Sequence, residues 1–233
     1  MNKYTSIYDL LPDALYVVDK SGNSEYGNPP SDSDFDSYEH VCTLCEKEYI
    51  IRYFFTGGKK EAAKYFHHAF KVVLSLVDGS TSKTTHTFAH IYTFMAELMR
   101  NEISQDIPIS PINPSKDFGS VMINEKSFIA VISTIAHYLC KRSYMPRISY
   151  INDLFDFKVV LTCENLQCDI PVFLKDFCRE AATKNGFELC FDHTDSDFSL
   201  TASLEKTCTG TLTMRANSET FDYLYLICEL LCI

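Results

Sequence analysis

Two groups of histidines in this sequence have spacings that could support chemistry. His67 and His68 are adjacent, and Lys71 follows His68 by three residues. His86 and His90 lie four residues apart, a helical spacing that can bring two imidazoles to one metal ion. A neutral imidazole is also a nucleophile near neutral pH, because the unperturbed pKa of histidine is about 6.5.

Cysteine spacing offers a second kind of chemistry, metal binding. Cys42 and Cys45 form the only CxxC pair among the ten cysteines, with His40 close by. A structural zinc site has four ligands and often two such pairs, and this chain has no second pair. His86 and His90 likewise lack an evident third ligand, so we expect no metal at either place. The cysteines are then expected to be reduced thiols, as in cytosolic proteins.

Composition restricts the classes of partner. The net charge of -10 argues against a nucleic-acid binder and against a protein that lies on an anionic membrane. The apolar fraction of 46% is enough for a core. No apolar run approaches the roughly 20 residues that span a bilayer, and acidic residues interrupt the apolar stretch at the N-terminus. We therefore expect a cytoplasmic protein that binds other proteins.

The first half of the chain is predicted to be mainly helical. Residues 59–77 and 81–103 each carry apolar residues at three- and four-residue spacing, separated by Asp78-Gly79-Ser80. Residues 38–55 are helix-permissive, so 37–105 is predicted as one helical dimerisation hairpin. Each helix has one apolar face, which predicts a four-helix bundle formed by two copies of the chain.

The N-terminal residues 1–36 are predicted to form a short helix, a hairpin and an acidic linker. The apolar strand that ends at Asp19 runs into Lys20-Ser21-Gly22-Asn23, which is turn chemistry. This pattern resembles the opening of a PAS sensor domain over about two dozen residues at most, far less than a complete domain of that family.

A proline-rich stretch, 104–118, predicts a domain boundary, and residues 118–233 beyond it mix helix and strand. The predicted helices cover 128–140 and 171–184, the second ending at Asn185-Gly186. Predicted strands cover 147–153, 157–165, 187–193, 197–205, 210–216 and 221–231, the last also compatible with a helix. This order predicts an α/β sandwich with an antiparallel or mixed sheet covered on one face.

The helix MINEKSFIAVISTIAHYL, residues 122–139, resembles the nucleotide-binding helix of the catalytic domain of sensor histidine kinases, a GHKL-type ATPase domain. The resemblance implies two asparagines, one of them a magnesium ligand, where this chain has Thr134 and Tyr138. It also implies an adenine-reading D-x-G-x-G motif, where residues 163–167 contain no glycine and only Glu164 could meet the adenine amine. The glycine-rich phosphate lid has no counterpart, so we expect no nucleotide cofactor.

The same family carries a phosphoacceptor segment, H-x-x-[RK]-x-x-L, on its first hairpin helix. His68, Lys71 and Leu74 fit that spacing. The resemblance implies that His68 is the candidate phosphoacceptor and that a response-regulator receiver domain or a kinase is the partner. Ala69 departs from the pattern, because kinases often keep an acid or an amide at that position.

The sequence therefore predicts an α+β protein, made of a helix hairpin followed by a degenerate ATPase-like domain. The predicted function is a homodimeric, histidine-kinase-like signalling protein without kinase activity. It would act as a histidine phosphotransferase or as a scaffold that binds a response regulator. Two alternatives stay open, an active ATP-dependent histidine kinase with diverged motifs and a purely structural interaction module.

Overall fold

The N-terminal part of the chain is a four-stranded antiparallel sheet. The computed structural model describes residues 12–31, 35–57, 59–77, 83–113, 119–194 and 196–207. Strands β1 (Ala14–Asp19) and β2 (Ser24–Gly27) form the predicted hairpin. The Asp19 carboxylate closes its turn by accepting hydrogen bonds from the backbone N–H groups of Ser21 and Asn23, at 2.9 and 2.8 Å. The short helix predicted before the hairpin falls mainly in residues 1–11, outside the described residues.

Residues 38–55, which were predicted to be helix-permissive, are strands, so that prediction is wrong. β3 (Phe35–Leu44) pairs along its whole length with β4 (Lys47–Thr56), and the sheet order is β2-β1-β4-β3. Alternate residues of β4 are buried, which is the two-residue period of a half-buried strand. Cys45 and Glu46 form the connecting turn with φ of 48° and 66°, as a two-residue hairpin turn requires.

Helix α1 (Lys60–Val77) covers one face of this sheet. Phe66 and Phe70, both on the predicted apolar face of α1, are buried there. Their rings lie 4.9 and 5.9 Å from the ring of Tyr53 on β4, measured between centroids. The aromatic residues of α1 and β4 therefore form one core between the helix and the sheet.

The second half is an α/β sandwich, as predicted for residues 118–233, but it also contains residues 84–102, which were predicted as part of the helix hairpin. Its elements are β5 (Thr84–Thr87), α2 (Phe88–Glu102), β6 (Ser120–Ile123), α3 (Glu125–Lys141), β7 (Arg147–Asn152), β8 (Asp156–Cys163), α4 (Val172–Asn185), β9 (Glu188–His193) and β10 (Phe198–Thr207). The predicted helices, the β7–β8 hairpin and the strands β9 and β10 are confirmed. Gly186 ends α4 with φ of 90°, where a left-handed cap favours glycine. The predicted strands at 210–216 and 221–231 lie outside the described residues.

Strand β10 is the centre of the second sheet. The order is β5-β6-β10-β8-β7, and β9 pairs with β10 beside β6. Every second residue of β8, from Phe157 to Cys163, is buried, while the residues between them are half-buried. The sheet thus turns one face towards the helices, as predicted for a sandwich covered on one side.

The predicted helix hairpin is not what the structure describes. Strand β5 lies directly before α2, and α1 packs against α4 rather than forming an isolated pair with α2. Phe88 and Met95, expected at a dimer interface, are fully buried within the chain. The ring of Phe88 stacks on Phe157 at 4.1 Å. The predicted four-helix bundle therefore does not form through Phe88 and Met95, because the core of the sandwich already covers the apolar face of α2.

Candidate functional site

The helix that carries the resemblance to a nucleotide-binding helix is α3. Asn124 caps its first turn, since Oδ1 accepts hydrogen bonds from the backbone N–H groups of Lys126 and Ser127 at 3.1 and 3.3 Å. Thr134 and Tyr138 lie one turn apart in the middle of this helix, and both are buried. The four-residue spacing therefore brings these two residues to one face of α3.

Tyr138 joins α3 to the connection between β8 and α4. Its side chain is 2% exposed, and its hydroxyl donates a hydrogen bond to the backbone carbonyl of Asp169 at 3.3 Å. The guanidinium carbon of Arg142 lies 3.8 Å from the centre of the Tyr138 ring, a cation–π contact. The phenol is therefore held in the interior of the chain, at the position where the resemblance implied a magnesium-binding asparagine.

The connection between β8 and α4, residues 164–171, is short and packed. Leu166 and Ile170 are buried. The N–H of Leu166 donates to the carbonyl of Ser196 at 2.8 Å, and the N–H of Gln167 donates to the Tyr144 hydroxyl at 3.2 Å. These contacts give this connection apolar anchors and fixed hydrogen bonds, whereas a phosphate-binding lid needs backbone N–H groups that point at the ligand.

Glu164, the remaining candidate for adenine recognition, lies at the surface. Its side chain is 70% exposed and reaches Arg147 at 3.9 Å, a surface ion pair of little energetic weight. It borders a cavity of about 350 Å³, which is lined by Thr162, Cys163, Glu164, Asp192, Thr194, Asp197, Phe198 and Ser199. The carboxylates in this lining disfavour a polyphosphate, because like charges repel.

His68 and Lys71 are both exposed on α1, one turn apart. His67 differs from its neighbour, because it is half-buried and its Nδ1 lies 2.5 Å from the hydroxyl of Tyr53. The two adjacent histidines are therefore not equivalent: one faces solvent and the other is held by the sheet.

The other histidine pair is not a pair on one helix, contrary to the prediction. His90 is exposed on α2, whereas His86 is buried on β5, before that helix begins. His86 Nε2 contacts the Thr84 hydroxyl and lies 2.9 Å from Oε2 of Glu125, in the first turn of α3. Burial raises the pKa of Glu125, but its hydrogen bond with His86 and other favourable contacts outweigh burial and hold the pKa below the usual value.

A buried carboxylate that the sequence reading missed connects the two halves of the chain. Asp176, on α4, accepts hydrogen bonds from the Tyr49 hydroxyl at 2.7 Å and from Lys47 Nζ at 2.8 Å. Both donors lie on β4, and Asp176 is almost fully buried. Tyr49 and Asp176 are 127 residues apart in the sequence, so no local sequence pattern could have predicted their contact.

Cys45 of the CxxC pair also belongs to this junction. The backbone N–H of Cys45 donates to Oε2 of Glu180 at 3.0 Å, and its thiol donates to the backbone carbonyl of Asp176 at 3.5 Å. Burial, and then the nearby carboxylate of Asp176, raise the pKa of the Cys45 thiol. Within the described ranges, no group of three or more His, Cys, Asp or Glu side chains is placed to hold a metal ion.

Comparison with known proteins gave matches only among solved structures. No protein-family model and no curated protein matches the sequence. Among the described residues, no helix is both long and apolar enough to cross a membrane.

Three of the similar solved structures are histidine kinases. The chain is similar to histidine kinase AdeS of Acinetobacter baumannii with a TM-score of 0.44 and 7% identity, over 63% of this chain and 80% of that chain. The catalytic domain of histidine kinase ThkA gives 0.43 and 10% identity, over 54% of this chain and 98% of that one. ThkA in complex with the response regulator protein TrrA gives 0.42 and 10%, over 88% and 98%. At these values the likeness carries no argument about activity or partners.

Proposed function

We propose that this protein is a histidine-kinase-like signalling protein that binds no ATP and acts as a scaffold for a response-regulator receiver domain. Histidine phosphotransfer through His68 is part of the proposal. The observation that supports it most is the packing of Tyr138, which is buried beneath Arg142 and bonded to the carbonyl of Asp169. The fold resembles that of a histidine kinase catalytic domain, while the residue at the position that would hold the magnesium ion contributes to the core.

The chemistry of Tyr138 argues against a magnesium–ATP site. Magnesium prefers compact oxygen ligands in octahedral geometry, which an amide supplies and a packed phenol does not. Opening the site would break the contact to Asp169 and disturb the connection between β8 and α4, in which Leu166 and Ile170 are buried. Exposing these apolar side chains costs free energy in proportion to their area. A diverged but active kinase would have to offset that cost on every binding event.

Phosphotransfer requires an accessible imidazole, which His68 provides and His67 does not. In the proposed step, a ring nitrogen of neutral His68 attacks the phosphorus of an aspartyl phosphate on the receiver domain. An N–P bond forms, the P–O bond to the aspartate breaks, and the carboxylate leaves. Lys71, exposed one turn away, contributes positive charge beside the transferred phosphoryl group. No oxidant, reductant or nucleotide is needed for this exchange.

Transfer from a receiver is tested with the full chain and receivers phosphorylated by acetyl phosphate. We expect acid-labile phosphate on the wild-type chain, loss of the label in His68→Gln, and retention in His67→Gln. His90→Gln is the matched control, because His90 is also an exposed helical histidine. Label retained by His68→Gln would assign the site elsewhere. If a receiver binds without transferring phosphate, the result favours the scaffold role. If the chain neither binds a receiver nor accepts phosphate, the result favours the structural interaction module.

The homodimer, the PAS-like character of the N-terminal hairpin and the cytoplasmic location are also parts of this proposal. The dimer cannot use the side chains first expected, because Phe88 and Met95 are buried inside one chain. A different surface must therefore join the two copies.

A further inference from the structure

The two edges of the N-terminal sheet are protected to different extents. At one edge, β2 is only four residues long and its register against β1 shifts between Val17 and Val18. Two prolines, Pro29 and Pro30, follow it closely. Short edge strands, irregular pairing and proline are the devices that prevent edges from pairing with other chains. This edge is therefore poorly suited to an added strand.

The opposite edge, β3, has none of these devices. It is ten residues long, pairs with β4 without a register shift, and contains neither lysine nor proline. In the described part of the chain its other side has no strand partner. The edge strand β7 of the second sheet is different, since Ile109 bridges to Ile148 and the N–H of Ser110 donates to the carbonyl of Ile148.

We propose that β3 pairs with β3 of a second copy of this chain, antiparallel, across a two-fold axis at Val41. Side chains directly opposite each other share a face of the sheet, so a two-fold axis of this kind must pass through one residue. The axis at Val41 places the two valines side by side, with Glu39 of each copy opposite Thr43 of the other. β-branched pairs stabilise neighbouring strands, and like charges are kept apart.

The chemistry of the exposed residues favours a second copy over a charged peptide. Val41 is 52% exposed although it lies in the middle of the strand. Glu39, the charged residue on that face, is already paired with Arg52 of β4 at 3.0 Å. The face is therefore nearly neutral and self-complementary, whereas a basic peptide would have to displace Arg52. The inference deepens the proposed homodimer by naming its interface, and its failure would leave the nucleotide and phosphotransfer tests unaffected.

Sedimentation equilibrium of the full chain tests the pairing. We expect the wild type to approach twice the 26.6 kDa monomer mass as concentration rises. Val41→Lys and Val41→Glu should each be monomeric with an unchanged circular dichroism spectrum, because like charges then meet at the axis. Met122→Lys is the matched control, since Met122 is 51% exposed on a strand of the other sheet and should leave the dimer intact.

A mixture of the two charged variants gives the sharpest outcome. Lysine opposite glutamate at the axis should restore the dimer mass that each variant lacks alone. A mixture that stays monomeric would overturn the register at Val41. A wild type that stays monomeric at every concentration would overturn the proposal, even if it binds a peptide at this edge. The proposal would also be overturned if Val41→Lys dimerises as well as Met122→Lys does.

Discussion

Tyr49→Phe should weaken the junction between the N-terminal sheet and α4 without creating a cavity. The Tyr49 hydroxyl is buried and donates to the Asp176 carboxylate at 2.7 Å. Burial, and then this hydrogen bond, raise the pKa of Tyr49, so the phenol remains a donor across the neutral range. A hydrogen bond to a charged group contributes about 1.5–3 kcal/mol. Because Lys47 still neutralises Asp176, we expect a loss near the lower end of that range.

Urea unfolding followed by circular dichroism measures this loss. The midpoint should fall in Tyr49→Phe while the slope with denaturant stays the same, since the surface exposed on unfolding does not change. Tyr16→Phe is the control, because the hydroxyl of Tyr16 has no hydrogen bond to the described residues. If Tyr49→Phe and Tyr16→Phe agree within about 0.5 kcal/mol, the buried junction does not stabilise the chain as argued.

Two further predictions concern stability. The pKa of Glu125 is lower in the folded chain than its ordinary value of 4.5. Its contact with His86 therefore contributes stability above that value, and this contribution is lost as pH falls through the folded pKa. Glu125→Gln should therefore show a weaker loss of melting temperature on acidification, and an unchanged pH profile would contradict this. Gly27→Ala should destabilise strongly, because its Cβ would lie 2.1 Å from the carbonyl oxygen of Leu15 at a φ of 69°. Gly22→Ala, at a φ of 83° with no atom within 4 Å, should cost less in the same melts, and equal losses would refute the steric argument.

The helices α3 and α4 and the strands β7 to β10 could be predicted because their signals are local, whereas β5 and β6 were missed. The periodicity of α3 and α4 identified both helices, and Asn185-Gly186 marked the end of α4. The alternating residues of β7 and β8 identified their hairpin. Thr134 and Tyr138 were singled out by the resemblance alone, and both are buried on α3.

The hairpin of β3 and β4 was missed because its turn carries no ordinary turn signal. Cys45 and Glu46 adopt positive φ, a conformation that Gly or Asn usually supplies. Without that signal, residues 38–55 were compatible with a helix, although Tyr49, Ile51, Tyr53 and Phe55 alternate as a strand does. Tertiary pairing with β1 and β3 decided the outcome.

Contacts distant in sequence could not be predicted at all. An amphipathic helix shows that one face is buried but not what covers it, so α2 was assigned to a dimer when Phe88 stacks on Phe157. His86 was placed on a helix edge, although it lies on β5 against Glu125. The Asp176 junction depends on β4 and α4, which only the folded chain brings together.

The central claim, that Tyr138 and its neighbours close the nucleotide site, is tested most directly by thermal melts of the full chain in millimolar ATP. Binding at a hundred times the dissociation constant would stabilise the fold by about 2.7 kcal/mol, or roughly 5–11 °C for a chain of this size. We predict the same melting temperature with magnesium–ATP, with ATP and EDTA, and without nucleotide. A magnesium-dependent rise of several degrees would contradict the account and favour an active kinase with diverged motifs.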